Sequence, residues 1–599
     1  MVVVVSLFLI PSFGRSPQRF SEFSGRFDAK ISPVLREELA SRSANPEDNR
    51  LMSVIVQVDV DFFAFNQELD RQSGLENPNA LSLVHAYSAR LQAHQIRWLL
   101  ESPVVDYVTQ DVVIRSSSDT GGDPTGDILG SRRRPPVTPE DQNNVTLKAI
   151  GADQAQAAGY SGKGVTVAVL DSGFNRHPDL NEKRVLEVVD FTSGEPIILD
   201  RKKNHDDYGH GTPVSGIIGG TGKESRGRYR GVAPKVKFVQ VKVVGEDGTG
   251  LTSNLIKAIE WVIENKDTYG IGVANISVGH SPVESYKTDP LCQVMERLVE
   301  AGIVAVASAG NLGKTEEYPE IWGAINSPAN DPKVIAVYPL NTRGTATHGD
   351  DISTSYGSRG PSHLDGLFKP DLSAPGNAIT SLVAKGSTID RQNPDLRVGK
   401  HYIKLSGASM ATAVVTGTVA LMLEANSGLD VNLIRHILLL SAIKLEQPHM
   451  LEQGNGLVNV LTAVELAAVV DLDTHYVGDE VSPHWDLDGE TVWVGGAFAN
   501  GNQIVYSRLV DADISPVWGS GISWADGIFW ADGIFWADGI FWADGIFWAD
   551  GIFWADGIFW ADGIFWADGL FWADGLFWAD GLFWADTHQS LTGQLSGDD

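Results

Sequence analysis

Cysteine is almost missing from this chain: 599 residues contain one, Cys292. A single thiol excludes an intrachain disulfide framework and a cysteine-based metal cluster. It leaves secretion open, because a chain of this length can bury a large core without covalent staples. Basic residues are scarce too. The net charge of −30 argues against nucleic acid as the main partner. The scarcity is local: after Arg508 there is no Lys, Arg or Glu but 15 Asp, so half of the net charge lies in the last 91 residues. Long apolar runs are also lacking. The run Val2-Val-Val-Val-Ser-Leu-Phe-Leu-Ile10 is too short to span a bilayer. Its length suits the core of a signal peptide, without a basic leader or an A-x-A cleavage site. Residues 1–15 are therefore a candidate signal segment, with a plain apolar tail as the alternative.

What is present divides the chain into regions. Apolar content of 43% is that of a globular protein. Residues 16–50 are polar and mixed, a flexible lead-in. A β-branched stretch at 53–60, a helical spacing from about Pro78 to Glu101 and two short strands over 103–114 make 51–115 a compact α+β module. Residues 116–145, with Ser, Gly, Pro and the triplet Arg132-Arg133-Arg134, read as a linker. Over 146–470 short apolar runs (165–170, 236–244, 272–278, 303–307, 334–337) alternate with helical stretches such as Ser253–Asn265 and 293–301. That alternation predicts an α/β fold with a doubly wound, mainly parallel sheet, whose active residues sit at the carboxyl ends of strands. A short β spacer follows over 471–517. Over 518–586 Trp-Ala-Asp-Gly-Ile/Leu-Phe then repeats with Trp every six residues. A period of six keeps each side chain on one face of an extended strand or solenoid coil, and drifts around a helix.

Four short stretches carry chemistry. Val169-Leu-Asp-Ser-Gly173 ends a strand with Asp171. Gly209-His-Gly-Thr-Pro-Val-Ser-Gly216 brings His210 to the start of a helix. Ala307-Ser-Ala-Gly-Asn311 puts Asn311 at another strand end. Lys404-Leu-Ser-Gly-Ala-Ser-Met410 places Ser409 in the first turn of an apolar helix, where free N–H groups and the helix dipole favour negative charge. Each alone has a bland reading: a turn aspartate, a structural histidine, a turn asparagine, a capping serine. Together and in order they fit one reaction. Serine needs a base to become nucleophilic. His210 can be that base, Asp171 can orient it, and Asn311 with the Ser409 N–H can stabilise an oxyanion.

With these surrounding letters the chain resembles the subtilisin-like serine endopeptidases over about Gln142 to Val470. The resemblance implies an Asp171–His210–Ser409 triad, an acyl-enzyme and Asn311 as oxyanion donor. It also implies that Val241-Lys-Val-Val-Gly-Glu-Asp-Gly-Thr-Gly250 and Asn275-Ile-Ser-Val-Gly279 form the walls of the substrate cleft. Gly248, Gly250, Ser277, Val278 and Gly279 would line it, and an extended peptide would add as a strand between them. Leu312, after the oxyanion asparagine, would border the side-chain pocket, and from it an apolar or bulky residue before the cut bond is expected. The module at 51–115 resembles the family's inhibitory propeptide, with cleavage expected between Ser116 and Asn144. Three departures stand out: Pro213 where a second histidine is usual, Ala408 and Ala413 in the nucleophile motif, and a basic loop, Gly222–Arg230, opposite Asp179. That loop lacks the usual oxygen-rich ligands, which disfavours structural calcium at Asp179 without excluding it, the alternative being an arginine as partner of Asp179. No cofactor is required.

The expected partners are protein or peptide substrates and the chain's own propeptide, in a secreted or cell-surface setting. The tail would bind a surface or associate with itself, or be repeat expansion without specific function. The rival readings are a peptide-binding pseudoprotease and a surface scaffold built around the tail.

Overall fold

The computed structural model describes residues 28–43, 49–58, 79–116 and 145–471, apart from 316–317, 319 and 446–447, together with the backbone of strands between 476 and 591. The expected signal segment and most of the expected linker lie outside the described residues. The chain divides into a unit ending at Asp111 and a unit from Val112 onward.

The first unit is a four-stranded antiparallel sheet. Strand β1 (Met52–Val58) lies between β3 (Ala86–Leu91) and β4 (Val105–Gln110), with β2 (Asn79–Leu81) outside β3. Helices Pro33–Ser43 and Ala93–Glu101 complete it, and Ile31, Leu35 and Leu39 share its core with Ile96, Leu99 and Leu100. Two expectations are corrected here. Part of the supposed flexible lead-in is a helix, because Leu35 and Leu39 form an i,i+4 pair that buries. The helical reading from Pro78 to Glu101 holds only from Ala93. Ala86–Leu91 is a strand because pairing with β1 buries Tyr87 and Leu91, and tertiary pairing outweighs local spacing.

The second unit is built on a nine-stranded sheet. Its parallel centre runs β14 (Ile335–Asn341), β13 (Val304–Ser308), β11 (Ile271–Ile276), β6 (Thr166–Asp171), β9 (Lys237–Lys242) and β7 (Val185–Asp190). β6, β11 and β13 are almost wholly buried, as strands covered by helices on both faces must be. Helix Ala408–Ala425 is among those covers, and every residue from Ala408 to Met422 is buried. It is long and apolar enough to cross a membrane by composition, yet 83% of it is buried, as a core helix should be. The carboxyl ends of β6, β11 and β13 deliver Asp171, Ser277 and Asn311 to one rim.

One strand departs from expectation. β5 (Val113–Ser116) does not extend the first unit's sheet. It is the middle strand of a separate three-stranded sheet, antiparallel to β10 (Thr249–Leu251) on one side and β12 (Val278–Gly279) on the other.

In the C-terminal region Ser523–Asp586 is continuous strand. Pro516–Ser520 pairs in parallel with Ile534–Asp538, and Trp572–Ala573 with Ser590–Leu591. Both pairings have an offset of eighteen residues, 516 to 534 and 572 to 590, which is three hexapeptides.

Candidate active site

The end of β6 and the start of helix Gly211–Gly219 meet through two glycines. A Cβ on Gly211 would lie 2.2 Å from the Gly173 oxygen, and Gly173 has φ +110°. Only glycine allows this approach, which brings His210, the residue before the helix, against Asp171. His210 Nδ1 lies 2.8 and 2.9 Å from the two Asp171 carboxylate oxygens, with both side chains fully buried. A carboxylate there fixes the tautomer with the proton on Nδ1 and leaves Nε2 as an acceptor. Nε2 is buried and takes no hydrogen bond among the described residues.

A buried network positions that histidine. The helix start has no cap from its own side chain. Instead Ser172 Oγ accepts from the backbone N–H groups of His210 (3.1 Å) and Gly211 (2.9 Å). The Ser172 hydroxyl donates in turn to Asp206 (2.7 Å). Asp206 also accepts from Gly209 N (2.7 Å), Thr212 N (2.8 Å) and Thr212 Oγ1 (2.6 Å). Burial pushes the Asp206 carboxyl above its ordinary range, the Thr212 and Ser172 hydroxyls pull it down, and the neighbouring Asp171 pushes it further up. Sequence reading singled out neither Ser172 nor Asp206. The available signal was an acid four residues before His210 in the same glycine-rich entry.

Ser409 lies in the first turn of helix Ala408–Ala425, fully buried, and its hydroxyl donates to the Ser277 carbonyl at 3.3 Å. Asn311 is tied to the same turn, since its Oδ1 accepts from Ala408 N at 2.9 Å. The helix is pinned to β11 by Thr416 Oγ1 donating to Asn275 Oδ1 at 2.9 Å, while Asn275 Nδ2 donates to Ser277 Oγ at 2.8 Å.

The expected cleft residues are placed around β5. Val278 is opposite Ser116 and Gly279 opposite Arg115. Thr249, Gly250 and Leu251 are opposite Arg115, Ile114 and Val113. The Gly248 carbonyl accepts from Ser116 N at 3.1 Å. A Cβ on Gly248 would lie 2.5 Å from the Tyr208 ring, and one on Gly250 2.2 Å from the Val243 oxygen, so bulk at either position would deform this wall. Leu312 is half-buried, with its N–H donating to Ser358 Oγ at 2.9 Å.

The polar groups at the corner around Asp179 are engaged within the chain. One Asp179 carboxylate oxygen accepts from Glu224 N (2.9 Å) and the other from the Tyr402 hydroxyl (2.6 Å). The nearby carbonyls are taken by a guanidinium. Arg184 Nη1 donates to Gly219 O (2.9 Å), Pro234 O (2.9 Å) and Val236 O (3.2 Å), and Nη2 to Asp179 O (3.1 Å). Among the described residues no group of three or more His, Cys, Asp or Glu is arranged to hold a metal ion.

Comparison with known proteins places the chain among relatives of one kind. The model of the subtilase family matches residues 162–457. The serine protease AprX of Bacillus subtilis (strain 168) is 36% identical over 309 residues, which is 51% of this chain and 67% of that protein. Subtilisin Savinase of Lederbergia lenta is 33% identical over 317 residues, 53% of this chain and 97% of that protein. Among solved structures, fervidolysin from Fervidobacterium pennivorans, described as a keratinolytic enzyme related to subtilisin, superposes with a TM-score of 0.56 at 22% identity. The match covers 80% of this chain and 69% of that one, a likeness of fold.

Proposed function

The chain belongs to the subtilase family of serine endopeptidases, and from that premise we propose how its own residues cut a peptide bond. Ser409 attacks the carbonyl carbon while His210 Nε2 takes its proton. Asp171 holds the imidazole and stabilises the imidazolium. The oxyanion is met by the Ser409 N–H and the Asn311 side-chain amide. His210 then protonates the leaving amine, and water, deprotonated by the same nitrogen, hydrolyses the acyl-enzyme.

The observation that carries this reading is β5. A stretch of polypeptide already lies as the central strand between β10 and β12, with Ser116 opposite Val278 and the Ser409 hydroxyl on the carbonyl of the preceding residue, Ser277. Strand addition of this kind is how extended peptides are held by a groove with two edges. It supports the reading of the α+β unit as a propeptide, with the point of cleavage after β5, between Ser116 and Asn144. A secreted or cell-surface location goes with this reading, as does the apolar segment at residues 2–10.

The tail is a separate element in this proposal. The eighteen-residue offset of its pairings supports a parallel solenoid of three hexapeptides per coil, available for surface attachment or self-association. Removing residues 518–586 leaves casein cleavage intact and abolishes attachment or association. Activity itself is tested by fluorophosphonate labelling: the parent is labelled and Ser409→Ala is not. A label retained in Ser409→Ala would exclude Ser409 as the nucleophile.

A further inference from the structure

Burial alternates along β5. Ile114 and Ser116 are fully buried, while Val113 and Arg115 are exposed. Successive side chains of a strand point to opposite faces, so Ile114 and Ser116 face inward and Arg115 faces outward. Ile114 packs on the β10 wall, where a Cβ on Gly250 would lie 3.3 Å from its Cγ1 and Cδ1.

Arg115 is paired on both sides at once, with Thr249 of β10 and Gly279 of β12. Residues directly opposite each other in an antiparallel pair put their side chains on one face. On the β12 side the partner is glycine and offers no side chain there. On the β10 side the partner is Thr249, which carries a carboxylate with it. Asp247 Oδ1 accepts from Thr249 N at 3.0 Å, and Oδ2 from Thr249 Oγ1 at 2.8 Å. The Asp247 carboxylate is thereby fixed against the side chain opposite Arg115, and it is exposed. The Thr249 hydroxyl holds the Asp247 carboxyl below its ordinary range against the pull of burial, and the Thr249 N–H and the Arg115 charge add to that effect. The neighbouring acid, Glu246, is already paired with Arg391 at 2.7 Å. Asp247 is thus the negative charge that this wall turns towards β5.

We propose that Asp247 selects a basic side chain, arginine foremost, at the substrate position that pairs with Thr249 and Gly279. This rests on the reading of β5 as a strand held as a substrate of Ser409. An exposed ion pair contributes modestly and is screened by salt, so the selection is a graded preference.

The test uses the self-processed full chain and synthetic peptides spanning residues 111–144. One peptide keeps Arg115, and the others carry Arg115→Ala or Arg115→Glu. At low ionic strength the arginine peptide exceeds the alanine peptide in kcat/KM by about two- to fivefold, the size of an exposed pair. The glutamate peptide falls below alanine, because like charges then face each other. These ratios shrink towards one in Asp247→Asn, which keeps an oxygen for the Thr249 N–H, and at about 1 M salt, where the screening length is about 3 Å. Fluorophosphonate labelling of Ser409 reports whether each protein is folded. A labelled parent that cuts the three peptides alike overturns the proposal. So does Asp247→Asn slowing all three equally with the ratios kept, the mark of a structural role. If Asp247→Asn does not fold, the parent's salt series decides, and ratios unchanged by salt overturn the proposal. A labelled parent that cuts none of the peptides, or an unlabelled parent, refutes the underlying reading instead.

Discussion

Arg184→Met tests whether a guanidinium holds the corner at Asp179. Arg184 donates to four backbone carbonyls, those of Gly219, Pro234, Val236 and Asp179, at 2.9 to 3.2 Å. Burial pulls its pKa down to about 10, and the Asp179 carboxylate works against that pull. Methionine has similar length and no donor. It removes charge-assisted bonds, each contributing about 1.5–3 kcal/mol net, and leaves carbonyls that a cation had satisfied. These terms are not additive, and for a half-buried guanidinium bound to neutral carbonyls the loss is on the order of 3 kcal/mol. For a domain of this size that is a drop in Tm on the order of 10 °C. The measurement is thermal unfolding in a Ser409→Ala background, which suppresses autolysis, with and without EDTA. Arg184→Met lowers the midpoint, and EDTA leaves the parent unchanged. Arg184→Lys falls between, since an ammonium has three donors and no planar fork. A methionine variant within about 0.5 kcal/mol of the parent, the range of an ordinary surface change, refutes the reasoning. So does a parent that loses its midpoint on chelation while the substitution does nothing.

Three further outcomes follow from the same geometry. Asp206→Asn replaces a carboxylate accepting four hydrogen bonds with an amide that must point a donor at one of them. The misplaced helix start lowers kcat by roughly 10²-fold with KM nearly unchanged, read by steady-state kinetics on a peptide substrate. Asn311→Ala lowers kcat by about 10²–10³, a size measured for the corresponding donor in subtilisin itself, with the label on Ser409 retained. Asp331 gives a pH signature: burial, with Glu296 beside it, pushes its carboxyl up to about 7. The folded state then binds this proton more tightly than the unfolded chain, so stability is lost as pH rises from about 4 to about 7. Asp331→Asn flattens that decline in urea-unfolding midpoints, and a parallel decline in both proteins would contradict it.

Much of the fold was legible because buried parallel strands write themselves as continuous apolar runs. Val165–Leu170 and Ile303–Ala307 match β6 and β13 within a residue or two. The motif residues were legible for a related reason, since strand ends and helix starts are marked by glycine and by short polar residues. Ala86–Leu91 was not, because its strand character comes from pairing with β1, and β1 lies nearly thirty residues or more away in the chain. Ser172 and Asp206 were hidden for the same cause. A serine after an aspartate and an acid in a loop acquire their role only when β6 and helix Gly211–Gly219 are brought together. β5 was read as a strand, but its neighbours could not be named, because they lie more than a hundred residues downstream.

The central claim is that Ser409 cuts the chain after the strand that lies between β10 and β12. Intact-mass analysis of the purified chain on incubation tests it most directly. The parent yields a product that begins beyond Ser116 and no later than Asn144, and Ser409→Ala remains uncut. A Ser409→Ala chain processed at the same bond, or a parent whose new terminus lies before Val113, would contradict it.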